Sequence, residues 1–131
     1  MTAPTPTFPP LTPLAKAGNH LAWAASTLPN VRVSTSVVAP ITPTAIVIGP
    51  PRINTIGYGG FVTAQWNIYL VVAVTQYAVD ILLSLATSLM LAIERLTPAV
   101  CRSSGPGTYP NPGGGVLPAF VVVTQQEVVM Q

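Results

Sequence analysis

The chain has 131 residues, half of them hydrophobic and only 6% charged, with five basic and three acidic residues for a net charge of +2. The length suits one domain with a core that needs no staple. The lone Cys101 excludes an internal disulfide, one Cys with one His excludes a metal cluster, and the charge is too weak and too scattered to argue for DNA readout. A globular protein ordinarily has about 25% charged residues. So few charges fit a subunit covered by neighbours, or a membrane protein. One free thiol fits synthesis inside the cell.

Met1 to Thr12 (MTAPTPTFPPLT) is Pro/Thr-rich and reads as a flexible arm of polyproline type. Phe8 is its candidate anchor on a neighbouring subunit. The segment has no basic start and no apolar run, so it does not look like a signal peptide. Thr12 and Pro13 form a helix start, a capping residue followed by proline at the first helical position. Leu14, Leu21 and Leu28 recur every seven residues, with Ala17, Ala24 and Ala25 among them, and Pro29 stops the helix. His20 reads as a surface or boundary histidine.

Val31 to Val38 alternates as a strand, and Ala39 to Pro43 is a connection. Thr44 to Gly49 (TAIVIG) is a short strand expected to be buried on both faces. Pro50 to Gly60 (PPRINTIGYGG) reads as an irregular loop or the turn of a long hairpin. Its glycines do not make a phosphate loop, because they precede a strand and no Gly-Lys-Ser/Thr follows.

Phe61 to Thr75 alternates again, with Trp66, Ile68, Leu70, Val72 and Val74 on one face. Near Tyr77 the period becomes helical. Val79, Leu82, Leu83, Leu85, Ala86, Leu89, Met90, Ile93 and Leu96 form a broad apolar face opposite Asp80, Ser84, Thr87, Ser88 and Arg95. Asp80 in the first turn and Arg95 in the last suit the helix dipole, and Pro98 ends the helix. The polar stripe marks a helix lying on a sheet rather than a membrane span. Ala99 to Arg102 is a short strand, Ser103 to Gly115 a mobile Gly/Pro-rich loop, and Leu117 to Val129 a long strand expected at a sheet edge. The order α-β-β-β-α-β-β predicts an α+β fold. In it, two helices pack on a mixed or antiparallel sheet of about four to five strands, over residues 13–131. The second helix is expected to cross over between neighbouring strands.

No catalytic constellation follows from these residues. Asp80 and Glu94 lie about 21 Å apart along one helix, too far for a carboxylate pair. The serines have no His–Asp arrangement beside them. Arg102 next to Cys101 would lower a thiol pKa, but a part-buried structural cysteine is the simpler reading. The expectation is a protein without catalytic activity and without a cofactor.

The element order and texture resemble the tail terminator proteins of long-tailed, lambda-like bacteriophages. The resemblance covers residues 12–129. It rests on a leading helix (LAKAGNHLAWAASTL), a strand pair at a proline-rich turn (TAIVIGPPRI), and a Tyr-Gly-Gly approach to the central strand (YGGFVTAQWNIYLVVAV). It continues through the long helix (AVDILLSLATSLMLAIERL) to a final strand (PAFVVVTQQEVV). The Ala/Pro/Thr-rich, charge-poor texture resembles phages of actinobacterial hosts. The resemblance implies a hexameric ring in the virion that caps the tail tube and stops its polymerisation. It also implies a joint to a head-tail stopper or connector protein, with DNA passing through the lumen.

On that reading, segments 50–60 and 103–115 are candidate contact faces. Arg52, Tyr58 and Tyr109 are candidate subunit or tube contacts with Phe8, and Arg32 and Arg102 are candidates to face DNA. Partners are then further copies, the tube protein and the stopper, with no membrane. The rival readings are another neck or tail component, such as a stopper or tube subunit, a small phage membrane or lysis protein, and an oligomeric ligand-binding module.

Overall fold

The computed structural model describes residues 13–29, 31–35, 43–56, 61–73, 75–112 and 115–129. The elements in order are α1 (Pro13–Ser26), β1 (Arg32–Ser34), β2 (Ala45–Ile48), β3 (Arg52–Ile56), β4 (Phe61–Val71), α2 (Ala78–Leu96), β5 (Val100–Pro110) and β6 (Val116–Val129). The fold is α+β: two helices and one mixed six-stranded sheet with the path β1-β2-β4-β6-β5. β3 pairs with β4 on the same edge that β2 uses, beyond Gly49-Pro50-Pro51. Those three residues stand opposite only two of β4, Asn67 and Trp66, between Ile48↔Ile68 and Arg52↔Gln65. The proline pair thus acts as a bulge that splits one long edge partner into two strands.

β4 explains the layering. Trp66, Ile68, Leu70 and Val72 are all buried, and they face the helices with Ile46, Ile48 and Val122 in one cluster. α1 presents Ala17, Leu21 and Ala25 to that cluster, with Leu28 just beyond its end, and α2 presents Leu82, Ala86, Leu89 and Ile93. Both sets keep to the spacing of a helix face. At Gly18 a Cβ would stand 3.4 Å from Trp66 Nε1, so the small residue lets α1 come down onto the indole. α2 ends where Thr97 folds its hydroxyl back onto the Ile93 carbonyl (2.6 Å) and accepts the Ala99 N–H (3.2 Å). That turns the chain directly into β5.

Several expectations need correction. Residues 103–110 are strand, not loop: they continue from Val100 and pair with β6 from Tyr109↔Leu117 back to Ser103↔Val123. Glycine and proline have poor strand propensity, but β6 supplies a Val-rich template and β5 needs only one paired edge. β6 is not an edge strand; it lies between β4 and β5, and β5 takes the edge. α2 links β4 to β5, which run parallel with β6 between them, so the crossover skips a strand. The segment 50–60 contributes β3 as a hairpin arm, while residues 57–60 lie outside the described residues. Of the strand expected over Val31 to Val38, Arg32–Ser34 is strand, and residues 36–38 lie outside the described residues. The N-terminal arm and Val74 also lie outside the described residues.

Candidate assembly surfaces

Among the described residues the reverse face of the sheet bears no helix, and a small cluster covers part of it. Val47, Val71, Tyr109 and Ala119 are buried there, with Tyr69 and Leu117 packed around them. Gly107 pairs with Ala119, and Tyr109 follows two positions later on the same side, so small residues leave room for its ring. The rings of Tyr69 and Tyr109 tilt at 56° with centroids 5.4 Å apart, within the range of favourable aromatic pairs. Burial raises the Tyr109 hydroxyl above its ordinary range, and Tyr69 adds to the shift. That hydroxyl finds no hydrogen-bond partner among the described residues, nor does the buried Thr124 hydroxyl on the helix side. Val121, Val123 and Gln125 continue the reverse face along β6, each half-buried.

The second surface is the β5 edge. Arg102 forms a bulge in it, between Cys101↔Thr124 and Ser103↔Val123. The outward positions follow from hydrogen-bond alternation. Val72 N–H donates to the Pro118 carbonyl (3.2 Å), so the backbone of Pro118 faces β4. Its partner Thr108 must therefore point its own backbone groups away from the sheet. The same holds for Ser104, Pro106 and Pro110 by the period of two. Pro106 and Pro110 have no N–H, so this edge presents carbonyls at every outward position but donors at only half of them.

The third surface is the outside of α2. Val79 is 68% exposed and Leu83 52% exposed, although both belong to the apolar face of the helix. They lie on the flank that turns toward β5. On the opposite flank Ile81, Leu85, Ala92 and Leu96 line two grooves of about 440 Å³ each, and Pro29 from the α1–β1 connection borders both. The helical spacing of these apolar residues spreads over about half the circumference, wider than the ~100° stripe one sheet contact covers. That width is the sequence signal for the exposed flanks, which composition alone did not reveal. A separate cleft of about 380 Å³ lies between α1 and the proline bulge, lined by Leu14, Gly18, Pro50, Pro51 and Trp66 among others.

The residues singled out from sequence land apart. Arg32 and Arg52 are exposed on β1 and β3, and Arg102 is exposed on β5 at the far edge of the sheet. Tyr109 is buried on the reverse face rather than displayed on a loop. Tyr58 and Phe8 lie outside the described residues. His20 stacks on the half-exposed Trp23, with ring centroids 5.5 Å apart. Cys101 is half-buried, and its thiol is pushed up to about 11 by burial first and the Glu94 carboxylate second. This fits the simpler reading of a part-buried structural cysteine and not the lowering that Arg102 could have given. Arg102 occupies the bulge, while Cys101 sits on the helix side against the core.

No described group of three or more His, Cys, Asp or Glu is placed to hold a metal ion. No helix among the described residues is long and apolar enough to cross a membrane. No family model matches the chain, and no curated protein matches it.

Proposed function

We propose that this chain is a structural subunit of a phage tail, a ring protein of the tail terminator type. Copies close into a ring, which the resemblance makes hexameric, and the ring sits on the last layer of tail-tube subunits and stops their growth. Its other side receives the stopper or connector protein, and DNA passes through the lumen. The reading assigns the chain no catalytic step and no cofactor.

The observation that supports it is the exposure of Val79 and Leu83 beside a β5 edge in a chain that has no charged residue from Ser103 to Gln126. The Arg102 bulge and the prolines at 106 and 110 guard the backbone of this edge, but no charge from Ser103 to Gln126 screens the apolar side chains beside it. A head-to-tail ring uses unlike surfaces of the same chain and leaves none of them open.

The test is capping of tail tubes. Purified chain is added to polymerising tube protein, and tube length and end structure are read by electron microscopy. The reading expects tubes of limited length with a ring at one end only. Tubes that grow at the same rate to the same length, with no added density at their ends, would overturn it.

A further inference from the structure

We propose that the cleft between α1 and the proline bulge is a binding site for an uncharged, proline-rich segment in polyproline form, and that its occupant is Phe8–Thr12 of the same chain. The inference stands apart from the ring reading, since a chain can fill its own cleft alone or in an assembly.

The cleft presents one hydrogen-bond donor in an apolar setting. Trp66 lines it and is only 1% exposed. A buried indole N–H ordinarily finds an acceptor. This one has none among the described residues, yet it is not one of the two side-chain groups sealed off without a partner. It therefore opens into the cleft. Gly18 also lines the cleft and presents no side chain to Nε1, where a Cβ would stand 3.4 Å away. Glycine is otherwise unfavourable inside a helix.

The rest of the lining selects the ligand. Leu14, Ile48, Pro50 and Pro51 offer apolar surface, and no charged residue among the described ones lines the cleft. Asn19 and Thr35 are exposed and add polar groups to its rim. The volume of about 380 Å³ lies in the range of ligand sites. A charged peptide or a phosphate would find no counter-charge there. A polyproline segment suits it on three counts. It offers carbonyls to the indole N–H. Its prolines bring no N–H of their own to be buried unpaired. It also has little conformational freedom to lose, which is how aromatic-lined grooves recognise such segments.

The chain supplies that chemistry at the mouth of the cleft. Pro13 begins α1, and the next residue, Leu14, already lines the cleft. Phe8-Pro9-Pro10 precedes Pro13 by only Leu11 and Thr12, outside the described residues. Prolines at 9 and 10 bias Phe8 and Pro9 toward extended backbone. The five residues Phe8–Thr12 span about 16 Å at ~3.1 Å each, enough to double back over a cleft that starts at residue 14. A link this short holds the segment at a local concentration on the order of 1 mM, which a second copy would have to match in solution. Phe8 then anchors within its own chain rather than on a neighbour.

The experiment uses the full chain with W23F, which leaves Trp66 as the one indole. That chain is compared with the same chain carrying P9S/P10S. The probe is the synthetic peptide TPTFPPLT, residues 5–12. Circular dichroism and thermal melting check the fold. The ¹H–¹⁵N resonance of the Trp66 indole and its exchange with solvent read the cleft. With the prolines in place, exchange should be slow and the resonance independent of protein concentration. P9S/P10S should shift the resonance and speed exchange about tenfold, as expected when a local concentration of order 1 mM fills a site of Kd about 0.1 mM. Added peptide should restore both with a Kd below about 1 mM, the local concentration the link supplies. The peptide TPTFSSLT should not.

A resonance and exchange rate unmoved by P9S/P10S, a weaker peptide Kd, or equal binding of the serine peptide would each overturn the proposal. A resonance that moves with the concentration of the proline-bearing chain would assign the cleft to the arm of a second copy and overturn occupancy by its own. If P9S/P10S fails to fold, nuclear Overhauser contacts in the W23F chain decide. Contacts between the Trp66 indole proton and Phe8–Pro10 support the proposal, and their absence in the folded chain overturns it.

Discussion

The two faces of β4 are made by alternate residues of one strand, yet they have different tasks. On the helix side Trp66, Ile68 and Leu70 join a buried cluster drawn from both helices and from β2, β4 and β6. On the reverse side Val71 belongs to a patch of four buried residues with no helix above it. The first face is closed by the chain itself. Among the described residues the second is closed at one spot, where Tyr109 reaches in from the edge strand two strands away. A period of two therefore fixes which residues share a face, but a tertiary partner decides whether that face is finished within one chain.

The sharpest way to break the comparison is to remove one aromatic from each face. Trp66→Ala leaves a large void between α1 and the sheet and should cost about 3–5 kcal/mol. Tyr109→Ala removes a ring from a thinner cluster whose surroundings can settle or admit water, so about 2–3 kcal/mol is expected on the same scale. Denaturant unfolding of both variants, compared at equal slope, measures the difference. Equal losses would mean that the reverse face is as much a core as the helix side.

Part of this was legible without coordinates. The alternation from Phe61 onward and the helical period after Tyr77 give β4 and α2 directly, because both are long and strongly patterned. The 103–110 part of β5 was hidden because Gly105, Pro106, Gly107 and Pro110 suppress the local strand signal; its pairing comes from β6, from Pro110↔Val116 out to Ser103↔Val123. β3 was hidden for a related reason, being five residues between prolines and glycines.

Of the candidate contacts, Arg32, Arg52 and Arg102 are exposed as their charge suggests. The burial of Tyr109 depends on hairpin register, which residue identity does not supply. The exposed flank at Val79 and Leu83 was readable in principle, from an apolar arc too wide for one sheet.

Cys101 sharpens the comparison on the helix side through its titration. Its thiol stands at about 11 against the ordinary 9.0 of an unburied cysteine, so the folded chain holds the proton more tightly. The associated stability is fully present below pH 9 and is lost as pH rises toward 11. Alkylation of the folded protein by iodoacetamide should stay slow through neutral pH and climb toward pH 11, while the unfolded chain reacts about two pH units earlier. A folded-state midpoint at or below 9 would mean that Arg102, not burial and Glu94, governs the thiol.

The smallest expected effects come from two hydroxyls, one on each face. Thr124 is fully buried opposite Cys101, and its hydroxyl has no partner among the described residues. Tyr109 is 4% exposed, and its hydroxyl is also without a partner there. A buried polar group with no hydrogen bond costs about 1–3 kcal/mol, so removing it at constant shape should stabilise. Thr124→Val keeps the volume and replaces the hydroxyl by a methyl, for an expected gain of about 1 kcal/mol. Tyr109→Phe should gain less, about 0.5 kcal/mol, because its end of the ring lies nearer to water on the unfinished face.

The order of the two gains is the informative quantity, since both variants leave the packing in place. If Tyr109→Phe instead destabilises in the assembled protein but not in the monomer, the hydroxyl is bonded across a subunit contact. The reverse face would then be completed by a neighbour rather than by water.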